Sequence, residues 1–382
     1  MARRVFFHVG LPKTGTTYLQ TMMWHNRAEL ARQGVLLPGE SSRQHLWASG
    51  VVREDPHLAR RSPDAEHAWE LLVQEINAWD GTAVVSHEFF ASASADQAAR
   101  AAGVLEGAEV HVVVTARDTL SLVTARWQEF VKNGSTVPVD GYPVREETSP
   151  HDDWDWGSLD LADVLGRWSA AAPRDRVHVL TLPRPGEPRE TLWLRFAALV
   201  GFDPDTCDTA GSVQNESLGV VEVELLRRVN ADLRGFTTAQ DRGNWIRGYL
   251  AQGKLVPRGG EKFWPSTERV AELCARGDRI ADEVAAAGYD VIGDAAALRP
   301  PAHLPERRHP DDVTEAELLA VATDVIAAML TDVRTLTREN RALSSRPGAA
   351  EGVARRLGWL PEPARWVVRS IRSRFRVGSR PA

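Results

Sequence analysis

The first twenty residues constrain this chain more than any other segment. Val5-Phe6-Phe7-His8-Val9 is a short apolar run, Gly10-Leu11-Pro12-Lys13-Thr14-Gly15-Thr16-Thr17 follows it, and a helical pattern through Leu19, Met22 and Met23 follows that. A buried strand, a glycine-bearing loop and a helix, in that order, form the context of a phosphate-binding loop. The glycines permit a tight turn and close approach. The amides left free at the helix start, with the helix dipole, favour negative charge. Arg3-Arg4 and five mostly apolar residues are too short for a signal-peptide core, so the segment reads as a strand.

Further apolar runs at Ala83–Ser86, Val110–Thr115 and Val177–Leu180 read as buried strands. Helical patterns lie between and beyond them: Glu66–Trp79, a helix after Asp118, Thr191–Val200, Glu222–Leu233 and Glu268–Ala287. Strands without alternation, interleaved with amphipathic helices, imply an α/β fold whose central parallel sheet is flanked by helices on both faces. Arg234–Glu261 has no assignable period. Pro300–Pro310 holds four prolines and marks a boundary, so residues 1–300 read as the main domain. Asp311–Leu343 follows as one long helix, residues 311–345 forming a C-terminal extension that docks on the main domain or pairs with a second copy as a homodimer.

Composition narrows the function classes. The chain has 382 residues, 43% hydrophobic and 26% charged, enough for a folded core. Its net charge of −6 is uneven: residues 346–382 hold nine Arg against Glu351 and Glu362, or +7, leaving −13 elsewhere. An acidic body argues against a general nucleic-acid partner. In the tail, Val367 or Val368, Ile371 and Phe375 share one helical face opposite several arginines, the pattern of a helix lying on anionic lipid or of a solvated basic tail. No stretch reaches the ~18 apolar residues of a membrane span. Two cysteines, Cys207 and Cys274, cannot make a disulfide framework or a cysteine zinc site. Together these lead to an expected cytoplasmic location, with the inner membrane face reachable through the tail.

In nucleotide triphosphatases the corresponding loop runs Gly, four residues, Gly-Lys, then Ser or Thr. Here Gly10, Gly15 and Thr17 fit, Thr16 replaces the lysine, and the lysine stands within the loop as Lys13. No apolar strand ending in a metal-binding Asp is evident, which disfavours magnesium-dependent chemistry. Pro12-Lys13, then Gly15-Thr16-Thr17 and Leu19-Gln20, resembles instead the 5′-phosphosulfate loop of sulfotransferases that use 3′-phosphoadenylyl sulfate (PAPS). The resemblance spans roughly residues 4–300, with motif support in 5–130.

That resemblance implies PAPS as donor, no metal, and Pro12, Lys13, Thr14, Gly15, Thr16 and Thr17 at its 5′ end. It implies a second anchor for the 3′-phosphate, an Arg after a later strand and a Ser eight residues on. Arg117 matches, and a guanidinium suits phosphate. Ala125 stands at the Ser position. Ser121, one helical turn earlier on the same face, is the substitute, with Thr124 rotated away. The family's base lies at a strand end, a His in one branch and a Glu in another. His87-Glu88 after the Ala83–Ser86 strand offers both, and only one should face the donor. His87 is the first choice for its near-neutral titration. Lys13 would stabilise charge on the bridging oxygen.

The implied reaction is in-line sulfuryl transfer to an acceptor hydroxyl of a glycan, glycolipid or secondary metabolite. Trp154 and Trp156, among acidic residues, read either as a sugar-stacking surface or as core. Two other classes stay open: a small-molecule kinase of the phosphate-loop class, and a non-catalytic nucleotide-binding scaffold.

Overall fold

A computed structural model describes residues 2–60, 64–105, 107–143, 154–184, 186–209 and 217–344. Six strands form one sheet: β1 (Arg4–His8), β2 (Val35–Leu36), β3 (Thr82–Ser86), β4 (Glu109–Ala116), β5 (Val177–Thr181) and β6 (Asp290–Ile292). Their order is β2-β3-β1-β4-β5-β6, and every pairing is parallel. Val5, Phe6, Phe7, Val84, Val85, Val112, Val113 and Val114 are fully buried, as strands covered on both faces must be. The four expected strands are present. The two outer ones, β2 and β6, are only two and three residues long, too short to stand out as apolar runs.

Eight α-helices of ten residues or more lie among the described residues: α1 (Thr16–His25), α2 (Ser42–Val52), α3 (Ala68–Ala78), α4 (Thr119–Lys132), α5 (Thr191–Val200), α6 (Val220–Asp232), α7 (Thr267–Ala287) and α8 (Glu315–Ser344). The segment left without a period holds a 14-residue π-helix, Arg242–Leu255. Gly243, Gly248 and Gly253 recur there every five residues, matching i→i+5 bonding, which a search at 3.6 does not find.

The topology locates a site. From β1 the chain runs out to β2 and β3 on one side, then crosses to β4 on the other. In open α/β sheets, ligands bind at such a reversal, beyond the carboxyl ends of the strands. Here that point lies between the ends of β1 and β4, where the loop and Arg117 emerge. Chain contacts define two compact units, Met1–Leu318 and Leu319–Ala382. The basic tail, residues 346–382, lies outside the described residues. No helix among the described residues is long and apolar enough to cross a membrane.

Candidate active site

The loop leaves β1 pinned to β4: Val9 N donates to Val113 O at 2.9 Å and Leu11 N to Thr115 O at 3.0 Å. Gly10 sits at φ 55°, and a Cβ there would lie 2.4 Å from Thr16 Cγ2, so only glycine fits the turn. Gly15, φ 81°, is the N-cap of α1 in the left-handed region and offers no side-chain cap to the helix amides. The Thr14 hydroxyl donates to the Leu11 carbonyl and lies 2.8 Å from Thr115 Oγ1, which stiffens the turn from within. Pro12 and Thr16 are buried, and Thr17 is exposed at the helix start.

Beside the loop is a cleft of about 910 Å³, lined by Gly15, Tyr18, Arg117, Asp118 and Ser121 from the β1 and β4 ends. Arg184, Arg189, Lys262 and Arg299 line it from the far side, so five cationic side chains face two carboxylates, Asp118 and Glu187. Arg184 and Arg299 are paired, with Asp294 at 2.6 Å and Asp278 at 3.3 Å, and Arg189 lies over the Tyr18 ring.

Arg117 differs from these. Its Nε is buried without a hydrogen-bond partner, and the Asp118 carboxylate lies 4.0 Å away. Burial pushes the guanidinium below its ordinary value. Asp118 is occupied as the N-cap of α4, accepting from Ser121 N at 2.8 Å. Of the two hydroxyls considered for the missing Ser, Ser121 lines the cleft, whereas Thr124 donates back to Leu120 O at 2.8 Å.

On the β3 side, His87 is the N-cap of a short 3-10 helix, Glu88–Ser92, and its Nδ1 accepts from Phe89 N at 3.1 Å. A neutral ring accepting at Nδ1 carries its proton on Nε2. Glu88 accepts from Gln20 Nε2 at 3.2 Å, and Gln20 stands one turn into α1, directly behind the loop. Burial pushes the Glu88 carboxyl up but is outweighed by the neighbouring His87, by hydrogen bonds including that from Gln20, and by Arg126. The carboxyl is therefore held below its ordinary value. His8 and His45, buried nearby, are kept neutral by burial, each lowered to about 4. His8 Nδ1 lies 2.7 Å from Ser86 Oγ, and His45 Nδ1 accepts from Ser86 N.

Lys13 does not line the cleft. It sits at φ 64°, uncommon for a non-glycine residue, and its Nζ lies 3.2 Å from Glu129 Oε1 on α4. Lys132 is 3.0 Å from the same oxygen and Arg247 is 3.3 Å from Oε2. Burial raises the Glu129 carboxyl, but these three cations outweigh it and hold the carboxyl down at about 2.

Trp156 is 3% exposed and stacks under Arg276 at 3.5 Å, a core residue. Trp154 packs under Arg126 at 3.9 Å and against Phe130. Asp152 and Asp153 lie outside the described residues. Among the described residues no group of three His, Cys, Asp or Glu is arranged to hold a metal.

Of the residues named from the sequence, Gly15, Arg117 and Ser121 line one cleft, and Lys13, His87 and Glu88 are not among its lining residues. Sequence reasoning missed Arg184, Arg189, Lys262, Arg299, Glu129, Lys132 and Arg247. One signal was available: the chain has only four lysines, of which Lys262 lines the cleft and Lys13 and Lys132 meet at Glu129.

No family model and no curated sequence matches the chain. Among solved structures, a sulfotransferase from Alicyclobacillus acidocaldarius is similar with a TM-score of 0.36 and 17% identity, over 56% of this chain and 87% of that one. The meaning of the site rests on this chain's own residues.

Proposed function

We propose that this chain is a sulfotransferase that takes a sulfuryl group from PAPS and passes it to an acceptor hydroxyl. The observation that carries the reading is Arg117: a buried guanidinium nitrogen without a hydrogen-bond partner, 4.0 Å from the Asp118 carboxylate, in a cationic cleft shared with the loop and Ser121. A buried donor left unsatisfied is costly, and an anion relieves it. The cleft volume falls within the range of nucleotide-sized sites.

The chain's residues fit such a donor at both ends. The amides of Thr14–Thr17, uncapped at Gly15, suit the 5′ end. Arg117 and Ser121 suit the 3′-phosphate. Lys13 is tied to Glu129 outside the cleft, so its ammonium would have to exchange that carboxylate for the leaving bisphosphate before it could stabilise charge there. Of the paired base candidates, Glu88 is favoured over His87. Its carboxylate is ionised, accepts from the residue behind the loop, and needs no rearrangement to take a proton. His87 would first have to give up its bond to Phe89 N or lose the proton from Nε2. The acceptor class is a glycan, glycolipid or secondary-metabolite hydroxyl.

The test is release of 3′,5′-bisphosphoadenosine from sulfur-labelled PAPS, with and without a panel of hydroxyl acceptors. Release that a hydroxyl acceptor accelerates, with label appearing on the acceptor, supports the reading. Absence of any release with a correctly folded protein, or transfer of phosphate from ATP in its place, contradicts it.

A further inference from the structure

Among the described residues, the second compact unit carries an unpartnered helical face with one regular pattern. Along α8, Leu319, Ala322, Ile326, Met329, Val333, Leu336, Asn340 and Leu343 alternate in steps of three and four without a break. That is a 3.5-residue repeat held for more than three heptads, the pattern of a coiled-coil seam. The side chains on it are open: Leu319, Ile326, Val333, Leu336 and Leu343 are each more than half exposed, and Met329 is 37% exposed. Past Val325 no described residue of α8 is buried. A lone helix gains nothing from presenting such a stripe to water, and one this large marks a contact surface.

We infer that α8 pairs with α8 of a second copy of this chain as a parallel, in-register two-stranded coiled coil. Three features select that occupant. Taking Leu319 as position a, the a residues are Leu319, Ile326, Val333 and Asn340, and the d residues are Ala322, Met329, Leu336 and Leu343. β-Branched residues at a with Leu at d favour two strands over three or four.

Asn340 is the one polar residue in the seam. Against an apolar surface its amide would be buried unsatisfied, at a cost. Against the same Asn of a second copy each amide can donate to the other, which happens only when the helices run parallel and in register. Charge points the same way. The flanking g positions of the second and third heptads are Asp332 and Glu339. In a parallel pair Asp332 faces Thr337 of the second copy, whereas an antiparallel pair sets g against g and brings these acids together.

The test is sedimentation velocity on the full chain at micromolar concentration, with bisphosphate binding as a check on folding. A species of twice 42.1 kDa is expected for the native protein, and Leu336→Glu, at an exposed position, should sediment as a monomer with binding unchanged. Asn340→Cys, oxidised, should link two copies through that position. A native protein that stays monomeric at tens of micromolar overturns the inference. So does a dimer that survives Ile326→Glu together with Leu336→Glu. A dimer that Asn340→Cys fails to link overturns the parallel register.

Discussion

Replacing Arg117 by Ala removes a guanidinium that no described hydrogen bond holds at Nε, so the fold should tolerate it while an anion site is lost. Charge-assisted hydrogen bonds are worth ~1.5–3 kcal/mol, so calorimetry should show bisphosphate affinity falling by roughly 10- to 100-fold at unchanged circular dichroism. Normal affinity would mean that the 3′-phosphate is bound elsewhere. Glu88→Gln keeps the Gln20 contact in reach but removes the charge, and should lower transfer by ~10²–10⁴ with donor affinity nearly intact. His87→Ala should cost less, because its Nδ1 serves the backbone of the following turn. If His87→Ala abolishes transfer and Glu88→Gln spares it, the base assignment is reversed. These two residues also show where sequence reasoning stops. Adjacent strand-end residues can be said to diverge, but which one is tied down by a backbone amide two residues on depends on the turn that follows, and no spacing rule fixes that.

At the scale of elements, α4 serves the site at two depths. Its first turn offers Ser121 to the cleft, and its third turn carries Glu129, which gathers Lys13 from the loop, Lys132 from α4 itself and Arg247 from the π-helix. Breaking a buried pair by removing one partner typically costs ~3–5 kcal/mol. Glu129→Gln leaves Lys132, whose side chain is only 3% exposed, facing other cations, and should lower stability in urea titrations by about that much. Adding Lys132→Met should recover part of the loss, and a double variant no more stable than Glu129→Gln would show that Lys132 is not the strained partner. The β1–loop–α1 unit was legible because its residues are contiguous and each carries a local constraint: φ 55° at Gly10, φ 81° at Gly15, an apolar run before and a period after. Arg117 was legible through the resemblance, which calls for an Arg directly after a long apolar strand, here β4. Lys262 and Arg299 reach the same cleft from far along the chain, and the π-helix obeys a different period. Their placement is a product of the crossover topology, which local pattern does not encode.

At the scale of the molecule, the core buries histidines that must stay neutral, His8 on β1 and His45 on α2. His8 and His45 are lowered from 6.5 to about 4 by burial. In the unfolded chain each takes up a proton near pH 6.5, whereas the folded chain resists until about 4. Their contribution is therefore complete above pH 6.5 and lost as pH falls toward 4, on the order of 3 kcal/mol for each. Glu129, lowered from 4.5 to about 2, loses its contribution in a later window, from pH 4.5 downward. The melting temperature should thus decline in two stages on acidification, the first beginning near pH 6.5. A flat profile from pH 7 to 5 would contradict the neutral burial of these rings. The central claim, that the cleft between the β1 and β4 ends holds a 3′-phosphorylated donor, is tested most directly by calorimetry on the native chain. Binding of 3′,5′-bisphosphoadenosine is compared there with binding of ATP, each with and without magnesium. The account predicts micromolar binding of the bisphosphate that does not need magnesium and is weakened by Arg117→Ala. Tighter, magnesium-dependent binding of ATP, or no binding of either nucleotide by the folded protein, would contradict it.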